Sequence, residues 1–191
     1  MKMSLALFDH RAALPTRERQ GLLVLAALLS VGLFAIALVR APGATGLVAG
    51  LVFADLVLCA WYDLSAFRVP NLLTYAGTAL VLVSALLLPG GRPAEAVLGA
   101  TVAGGFFLLL NLTSRGKVGL GDAKLAALGG AFVGLRYAVP AMFFGTLAAA
   151  FLCAVLLLAR RITPNQPLPY APFLSLGFVI TMLITGGSLG L

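Results

Sequence analysis

Two aspartates carry the most informative chemistry in the sequence, because each lies at one end of a long apolar segment. Asp63 closes one segment after Trp61 and Tyr62, and Asp122 opens another after a glycine-rich turn. If both ends lie at the same membrane face, the two carboxyl groups meet at one level. Two close carboxyl groups share a proton and titrate as a coupled pair. Such a pair suits hydrolysis, because its ionised member activates water and its neutral member protonates a departing amine.

The glycines before Asp122 indicate a close approach of backbone at this position. Gly116, Gly119 and Gly121 allow conformations closed to other residues and let a substrate backbone come near. A glycine-rich helix start also binds phosphate, but the spacing differs from that of a phosphate loop, and Asp122 would repel the anion. Three interpretations of Asp122 stay open: a member of an acid pair, part of a phosphate site, or a simple helix cap.

The other four acids have more ordinary surroundings, with one exception. Asp9 and Glu18 fall in a polar N-terminal segment, and Glu95 begins an apolar segment, where the helix dipole favours a carboxylate. Asp55 lies in the middle of an apolar segment, where an ionisable group is costly and is a functional hypothesis. The alternative is an acid that stays protonated or hydrogen-bonds a neighbouring helix.

The composition excludes a water-soluble or disordered chain. Of the 191 residues, 61% are apolar and 10% are charged, against about 45–50% and about 25% in soluble domains. Disorder needs the opposite balance. Cys59 and Cys153 lie apart in apolar segments, and the single histidine is His10. The sequence therefore predicts neither a metal site, a disulfide framework nor a cofactor.

Apolar segments of about membrane-spanning length recur along the chain. A helix needs about 20 such residues to cross a hydrocarbon core about 30 Å thick. The segments lie at about 21–39, 46–62, 72–88, 96–113, 122–135, 138–159 and 171–190. They predict an all-α, polytopic membrane helix bundle with about seven transmembrane segments, in a range of about six to eight. Residues 1–20 are predicted to be a basic cytoplasmic tail, and 21–191 a single transmembrane domain.

Basic residues in the loops predict the orientation of the chain, because Lys and Arg are retained on the cytoplasmic side. With the N-terminus inside and the C-terminus outside, three of the 13 basic residues lie outside, at Arg40, Arg92 and Arg136, and ten lie inside. This bias explains the net charge of +7 without a nucleic-acid partner. It also puts Asp63 and Asp122 at the cytoplasmic face, provided that the short fifth segment crosses fully.

Three stretches of the chain, in order, resemble the motifs of the type IV prepilin peptidases. Residues 63–71 read DLSAFRVPN and are similar to the first motif, an Asp followed by Pro and Asn. Residues 119–125 read GLGDAKL and resemble the GxGD motif with its Lys-Leu pair. Residues 169–177 read PYAPFLSLG and resemble a third stretch. The resemblance covers roughly residues 46–190.

The resemblance implies an intramembrane aspartic endopeptidase in which Asp63 and Asp122 are catalytic and Gly119 and Gly121 support them. It implies that the enzyme removes the short basic leader of type IV prepilins, Flp-type pilins or pseudopilins at the cytoplasmic face of the membrane. The implied partners are such a substrate and the lipid bilayer. Larger members resemble this core plus an insertion with paired cysteines that is associated with methylation. No CxxC pair occurs here, so a short form without the methyltransferase region is expected.

Three further residues are expected to support the pair. Pro suits a first helical turn and Asn is a frequent cap, so Pro70 and Asn71 are predicted to start the third helix; substrate contact is the alternative. Lys124 either stabilises an ionised carboxylate or extends to the membrane interface. Which aspartate is the acid and which is the base stays open.

Other classes of protein share parts of this pattern. GxGD also resembles signal peptide peptidases and presenilins, but those carry Pro-Ala-Leu where this chain reads PYAPFL, and Pro70 with Asn71 favours the prepilin peptidases. A small transporter or ion relay would use Asp55, Asp63 and Asp122 across the bilayer, yet only Asp55 lies deep in a segment. The pilus system served, the cleavage-site sequence and the oligomeric state do not follow from the sequence.

Overall fold

The structure is a computed structural model that describes residues 16–41, 43–115, 118–163 and 168–185. Within these ranges the chain forms seven α-helices and no β-strand. The helices are α1 Thr16–Arg40, α2 Ala44–Ala66, α3 Asn71–Leu87, α4 Pro93–Thr113, α5 Leu120–Val133, α6 Leu135–Leu158 and α7 Ala171–Thr185. The prediction of an all-α helix bundle is confirmed. The first helix begins at Thr16, inside the segment predicted to be the tail, and residues 1–15 of that segment lie outside the described ranges.

The helix ends follow from local backbone chemistry. Helix α2 ends where Phe67 adopts a left-handed conformation, with φ of 51°. Helix α4 starts with Pro93, whose missing N–H costs nothing in a first turn. Gly134, with φ of 77°, separates α5 from α6. A residue with a Cβ is disfavoured at that φ, so glycine allows two helices to follow each other with a single residue between them.

Four helices are long and apolar enough to cross a membrane: Glu18–Arg40, Ala44–Ala66, Pro93–Thr113 and Leu135–Leu158. Asn71–Leu87 and Ala171–Thr185 are shorter apolar helices in the described ranges, and α5 has 14 residues, as its short apolar segment predicts. Large apolar side chains on α1, α4 and α6 are exposed, which is expected where lipid tails replace water. The chain is a membrane protein. The number of crossings and their direction stay predictions.

Helix α5 lies at the centre of the bundle. Nearly every residue after its first turn is buried, and it contacts α3, α4, α6 and α7. It packs most closely on α4, because a Cβ at Gly99 would meet the Gly130 carbonyl oxygen across the interface. Small residues allow such backbone contact between membrane helices. The first turn of α5, which carries Asp122, is therefore held by a central and well-packed helix.

Helix α1 has the opposite position, at the edge of the bundle. It packs mainly on α2, and its outer side chains are exposed, among them Leu28 and Val31. At its C-terminal end, Arg40 donates a hydrogen bond of 2.7 Å to the Leu183 carbonyl oxygen of α7. The functional side chains described below come from α2, α4, α5, α6 and the residues just before α7.

Candidate active site

Asp63 lies in the last turn of α2 and is only 7% exposed. Its Oδ2 atom accepts a hydrogen bond of 2.9 Å from the backbone N–H of Ala171. Ala171 is the first residue of α7, where N–H groups have no partner within their own helix. The positive end of the helix dipole also attracts a carboxylate. The start of α7 thus supplies both the donor and the field that hold the Asp63 side chain.

Asp122 lies in the first turn of α5, after Gly119 at the N-cap. Its backbone N–H donates to the Gly119 carbonyl oxygen at 3.1 Å, and its carboxylate also interacts with the Gly119 backbone N–H. An acid three residues after an N-cap commonly reaches back in this way. The Asp122 carboxylate therefore caps the start of α5, and Asp122 also lines the groove described below. Helix capping and participation in a site are thus compatible.

Gly119 and Gly121 were expected to take backbone conformations that are closed to other residues, and the structure gives a different reason for glycine. Gly119 has φ of −67° and ψ of 139°, an extended conformation that any residue adopts, so special backbone freedom is not needed there. Gly121 is favoured by packing instead, because a Cβ at this position would lie 3.1 Å from the Cβ of Val69 in the α2–α3 loop, closer than most Cβ contacts. Gly116 lies outside the described ranges.

The fold brings the two predicted aspartates into one region. Asp63 and Asp122 interact electrostatically, although 59 residues separate them in the chain. Tyr170, the residue before α7, is also within electrostatic range of Asp122. The starts of α5 and α7 and the end of α2 thus bring the two carboxyl groups into one region, and their action as an acid pair stays a prediction. Within the described part of the chain, Lys124 forms no ion pair with Asp122, and its Nζ donates to Asn71 instead.

An apolar groove of about 610 Å³ opens next to Asp122. Its walls come from α4, α6 and the segment before α7. The lining residues are Val102, Phe106, Phe107, Leu110, Val118, Asp122, Val139, Met142, Phe143, Thr146, Leu168 and Tyr170. Among the described residues of this lining, Asp122 is the only charged one. The groove therefore suits an apolar chain that presents one reactive bond to a carboxyl group.

Tyr170 and Thr146 are polar residues of the same lining that sequence reasoning missed. The Tyr170 hydroxyl and Thr146 Oγ1 are 2.6 Å apart, and the Tyr170 ring packs against Phe107 with ring centres 5.5 Å apart. Burial raises the pKa of the Tyr170 hydroxyl, so it keeps its proton at neutral pH. The only sequence signal was the stretch 169–177, which marks the start of the last helix.

Pro70, Asn71 and Lys124 support the fold around the site. Pro70 is the N-cap of α3 and Asn71 is its first residue, so the prediction that these two residues start the third helix is confirmed. The Asn71 side chain does not cap the helix; its Oδ1 atom accepts a hydrogen bond of 2.8 Å from Lys124 Nζ, which also lies 5.1 Å from the centre of the Tyr75 ring. Lys124 therefore joins the start of α5 to the start of α3.

Asp55 lies apart from the groove. Its Oδ1 atom accepts a weak hydrogen bond from Cys59 Sγ at 3.7 Å, one turn further along α2. Its Oδ2 atom lies against Gly77 of α3. Among the described residues, no group of three His, Cys, Asp or Glu side chains could hold a metal ion.

Comparisons with known proteins agree with the motifs. Residues 50–158 match the model of the type IV leader peptidase family. A prepilin leader peptidase/N-methyltransferase of Bacillus subtilis (strain 168) is 30% identical over 159 residues, which are 83% of this chain and 64% of the relative. The protein of the same name from Aeromonas hydrophila is 30% identical over 165 residues, which are 84% and 56% of the two chains. The matched part is thus somewhat over half of each relative. No solved structure matches the chain.

Proposed function

The chain belongs to the type IV leader peptidase family, and on that basis we propose that it is an intramembrane aspartic endopeptidase that removes the leader of prepilins. The substrates are type IV prepilins, Flp-type pilins or pseudopilins. Asp63 and Asp122 are the catalytic pair. Only the peptidase part of the relatives' name is carried over, because two carboxyl groups within electrostatic range of each other, one of them in an apolar groove, suit a hydrolysis.

The observation that carries the proposal is that Asp63 and Asp122 lie at helix ends within electrostatic range of each other, and that Asp122 lines an apolar groove. A prepilin has a basic leader followed by an apolar helix, so its scissile bond lies where the membrane meets water. Carboxyl groups at helix ends suit a bond at that depth, whereas a mid-membrane pair would lack water. The predicted orientation, with the N-terminus inside, puts this end of the bundle at the cytoplasmic face.

The proposed reaction is a hydrolysis with one shared proton. The ionised carboxylate accepts a proton from water as the water oxygen bonds to the scissile carbonyl carbon. The neutral carboxyl group then donates its proton to the amide nitrogen as the C–N bond breaks. The products are a leader with a free carboxyl group and a pilin with a new amino terminus. The pair again holds one proton, in exchanged positions.

Cleavage of a purified prepilin in phospholipid vesicles tests the proposal. We expect the chain to release an intact leader and an intact apolar domain, both identified by mass, with a single cut between them. The Bacillus subtilis relative serves as the positive control for substrate quality. Intact substrate after incubation with this chain, while the relative cleaves it, would overturn the proposal. A proton flux through the vesicles without cleavage would favour the transporter interpretation instead.

A further inference from the structure

The groove beside Asp122 contains a polar site that hydrolysis by two carboxyl groups does not explain. Its lining includes three polar side chains, Asp122, Thr146 and Tyr170, and the other described lining residues are apolar. The two hydroxyl groups lie on different elements, α6 and the segment before α7, and still meet at 2.6 Å. Thr146 is exposed, and each hydroxyl is the other's partner. An apolar chain that fills the groove would remove water from the remaining hydroxyl proton, which costs free energy unless the chain supplies an acceptor.

An apolar substrate helix would bring such an acceptor. A peptide bond inside an α-helix is shielded, because its carbonyl oxygen accepts a hydrogen bond from four residues further along. To reach a catalytic carboxyl group the helix must unwind locally, and this frees carbonyl oxygens that have no donor in an apolar groove. A donor fixed beside the catalytic group would bind one of them.

The hydroxyl pair has one donor to spare. Two hydroxyl groups carry two protons, and the hydrogen bond between them uses one. Either hydroxyl can donate within the pair. When Thr146 donates to the Tyr170 oxygen, the phenolic O–H is free to bind an acceptor, and a phenol is the more acidic and therefore the stronger donor of the two. The resulting chain of hydrogen bonds also polarises the phenolic O–H further.

Tyr170 is held firmly in position by its neighbours. Its carbonyl oxygen accepts hydrogen bonds from the N–H groups of Phe173 and Leu174, at 3.1 and 3.2 Å. Its ring packs against Phe107. The next residue, Ala171, donates to Asp63, so the same short segment orients one catalytic carboxylate and carries a donor near the other.

We propose that the Thr146–Tyr170 pair binds a main-chain carbonyl oxygen of the unwound substrate segment beside Asp122, with Tyr170 as donor and Thr146 orienting it. The inference rests on the proposed function. Both are positioning residues: they hold the substrate and take no part in proton transfer. The pair would favour substrates that unwind readily at this point, and it would determine the register in which the scissile bond meets the aspartates.

Steady-state cleavage by hydroxyl-deletion variants tests the pair. Tyr170→Phe keeps the ring contact with Phe107 and removes only the donor. A freed carbonyl left unsatisfied is expected to lower kcat/KM by about 5- to 100-fold, mainly through a higher KM. Thr146→Val is expected to lower it about two- to tenfold, and Thr146→Ser to restore it, because Ser keeps the hydroxyl. The double variant Tyr170→Phe/Thr146→Val should be no worse than Tyr170→Phe, since Thr146 acts through Tyr170.

Matched controls remove equivalent groups elsewhere. Tyr137→Phe alters a half-buried tyrosine of α6 outside the groove lining, and Thr101→Val alters an exposed threonine whose hydroxyl donates to its own helix, at Val97. Both should cleave like the wild type. A shifted pH profile in Tyr170→Phe would show that the hydroxyl acts on Asp122, and unchanged kinetics would show that it binds nothing; either overturns the inference while the proposed function stands. A wild type that leaves prepilin intact overturns both.

Discussion

Asp55 and Asp63 lie about two turns apart on the same helix, and their carboxyl groups have different partners. Asp63 is at the end of α2, where the first N–H of α7 donates to it and Asp122 lies within electrostatic range. Asp55 is mid-helix, where its partners are a thiol of its own helix and the backbone of Gly77. Asp63 thus faces the start of another helix, where a backbone N–H can donate to it, whereas Asp55 faces the middle of a helix.

The difference teaches where a membrane helix bundle can build a polar site. In the middle of a helix every backbone N–H is bound within the helix, so a neighbouring helix has no donor for an incoming carboxylate. At a helix start the first N–H groups are free. A carboxylate therefore finds donors where one helix ends and another begins, and α2, α5 and α7 meet in this way around Asp63 and Asp122.

Removing the carboxylates gives the largest expected effect. Asp63→Asn and Asp122→Asn should each lower the cleavage rate by about 10²- to 10⁴-fold, because an amide neither accepts nor donates the required proton. Asp55→Asn is the matched control on the same helix and should stay within about twofold of the wild type, as expected away from the reacting groups. The measurement is single-turnover cleavage of prepilin by folded protein. Equal losses in all three variants would contradict a catalytic role that Asp63 and Asp122 have and Asp55 lacks.

Removing the α7 donor should have the next largest effect. Ala171→Pro deletes the N–H that binds Asp63 at a first helical position, where proline is tolerated. The loss of a hydrogen bond to a charged group, about 1.5–3 kcal/mol, predicts about a 10- to 150-fold lower rate. Ala171→Val adds similar bulk at this fully buried position but keeps the N–H. If both variants lose the same activity, crowding and not the donor is responsible.

The pH dependence of cleavage distinguishes the coupled carboxyl groups of Asp63 and Asp122 from Asp55, which lies apart from them. Cleavage should follow a bell-shaped profile: at low pH both members of the pair are protonated and no base remains, and at high pH both are ionised and no acid remains. On either arm the rate should fall about tenfold per pH unit. Asp55→Asn should leave the profile unchanged. A profile with one arm, or one displaced by Asp55→Asn, contradicts a pair formed by Asp63 and Asp122.

The smallest effect concerns the packing of Asp55. A Cβ at Gly77 would collide with Asp55 Oδ2 and lie 3.0 Å from a Leu128 methyl group, so Gly77→Ala should destabilise the fold by about 1–3 kcal/mol. Shortening the acid in Gly77→Ala/Asp55→Ala should recover part of that loss. Thermal unfolding in detergent measures both, with Gly105→Ala as control, since a Cβ there meets open space. No recovery in the double variant would mean that Leu128, not Asp55, limits the space.

The helices were predictable because their cause is local. Apolar runs must satisfy their backbone hydrogen bonds within the membrane, so each run becomes a helix whose ends lie near the polar or glycine-containing breaks. The short α5 follows from its short apolar segment. Asp63 and Asp122 were predictable as candidates because each breaks an apolar run at its end. The start of α3 at Pro70 and Asn71 was predictable for the same local reason, whereas the hydrogen bond from Lys124 to the Asn71 side chain was not, because Lys124 is distant in the chain.

The sequence by itself determined that this protein lies in a lipid bilayer, that its apolar segments form helices there, and that two carboxyl groups lie at helix ends. Tertiary structure decided which groups those carboxylates meet: the Ala171 N–H for Asp63, and for Asp122 a groove with a paired threonine and tyrosine. The reason is physical. The hydrogen bonds of the backbone form within a single helix. A groove wall, a hydroxyl pair or a donor placed beside a carboxylate exists only after helices distant in the chain have packed together.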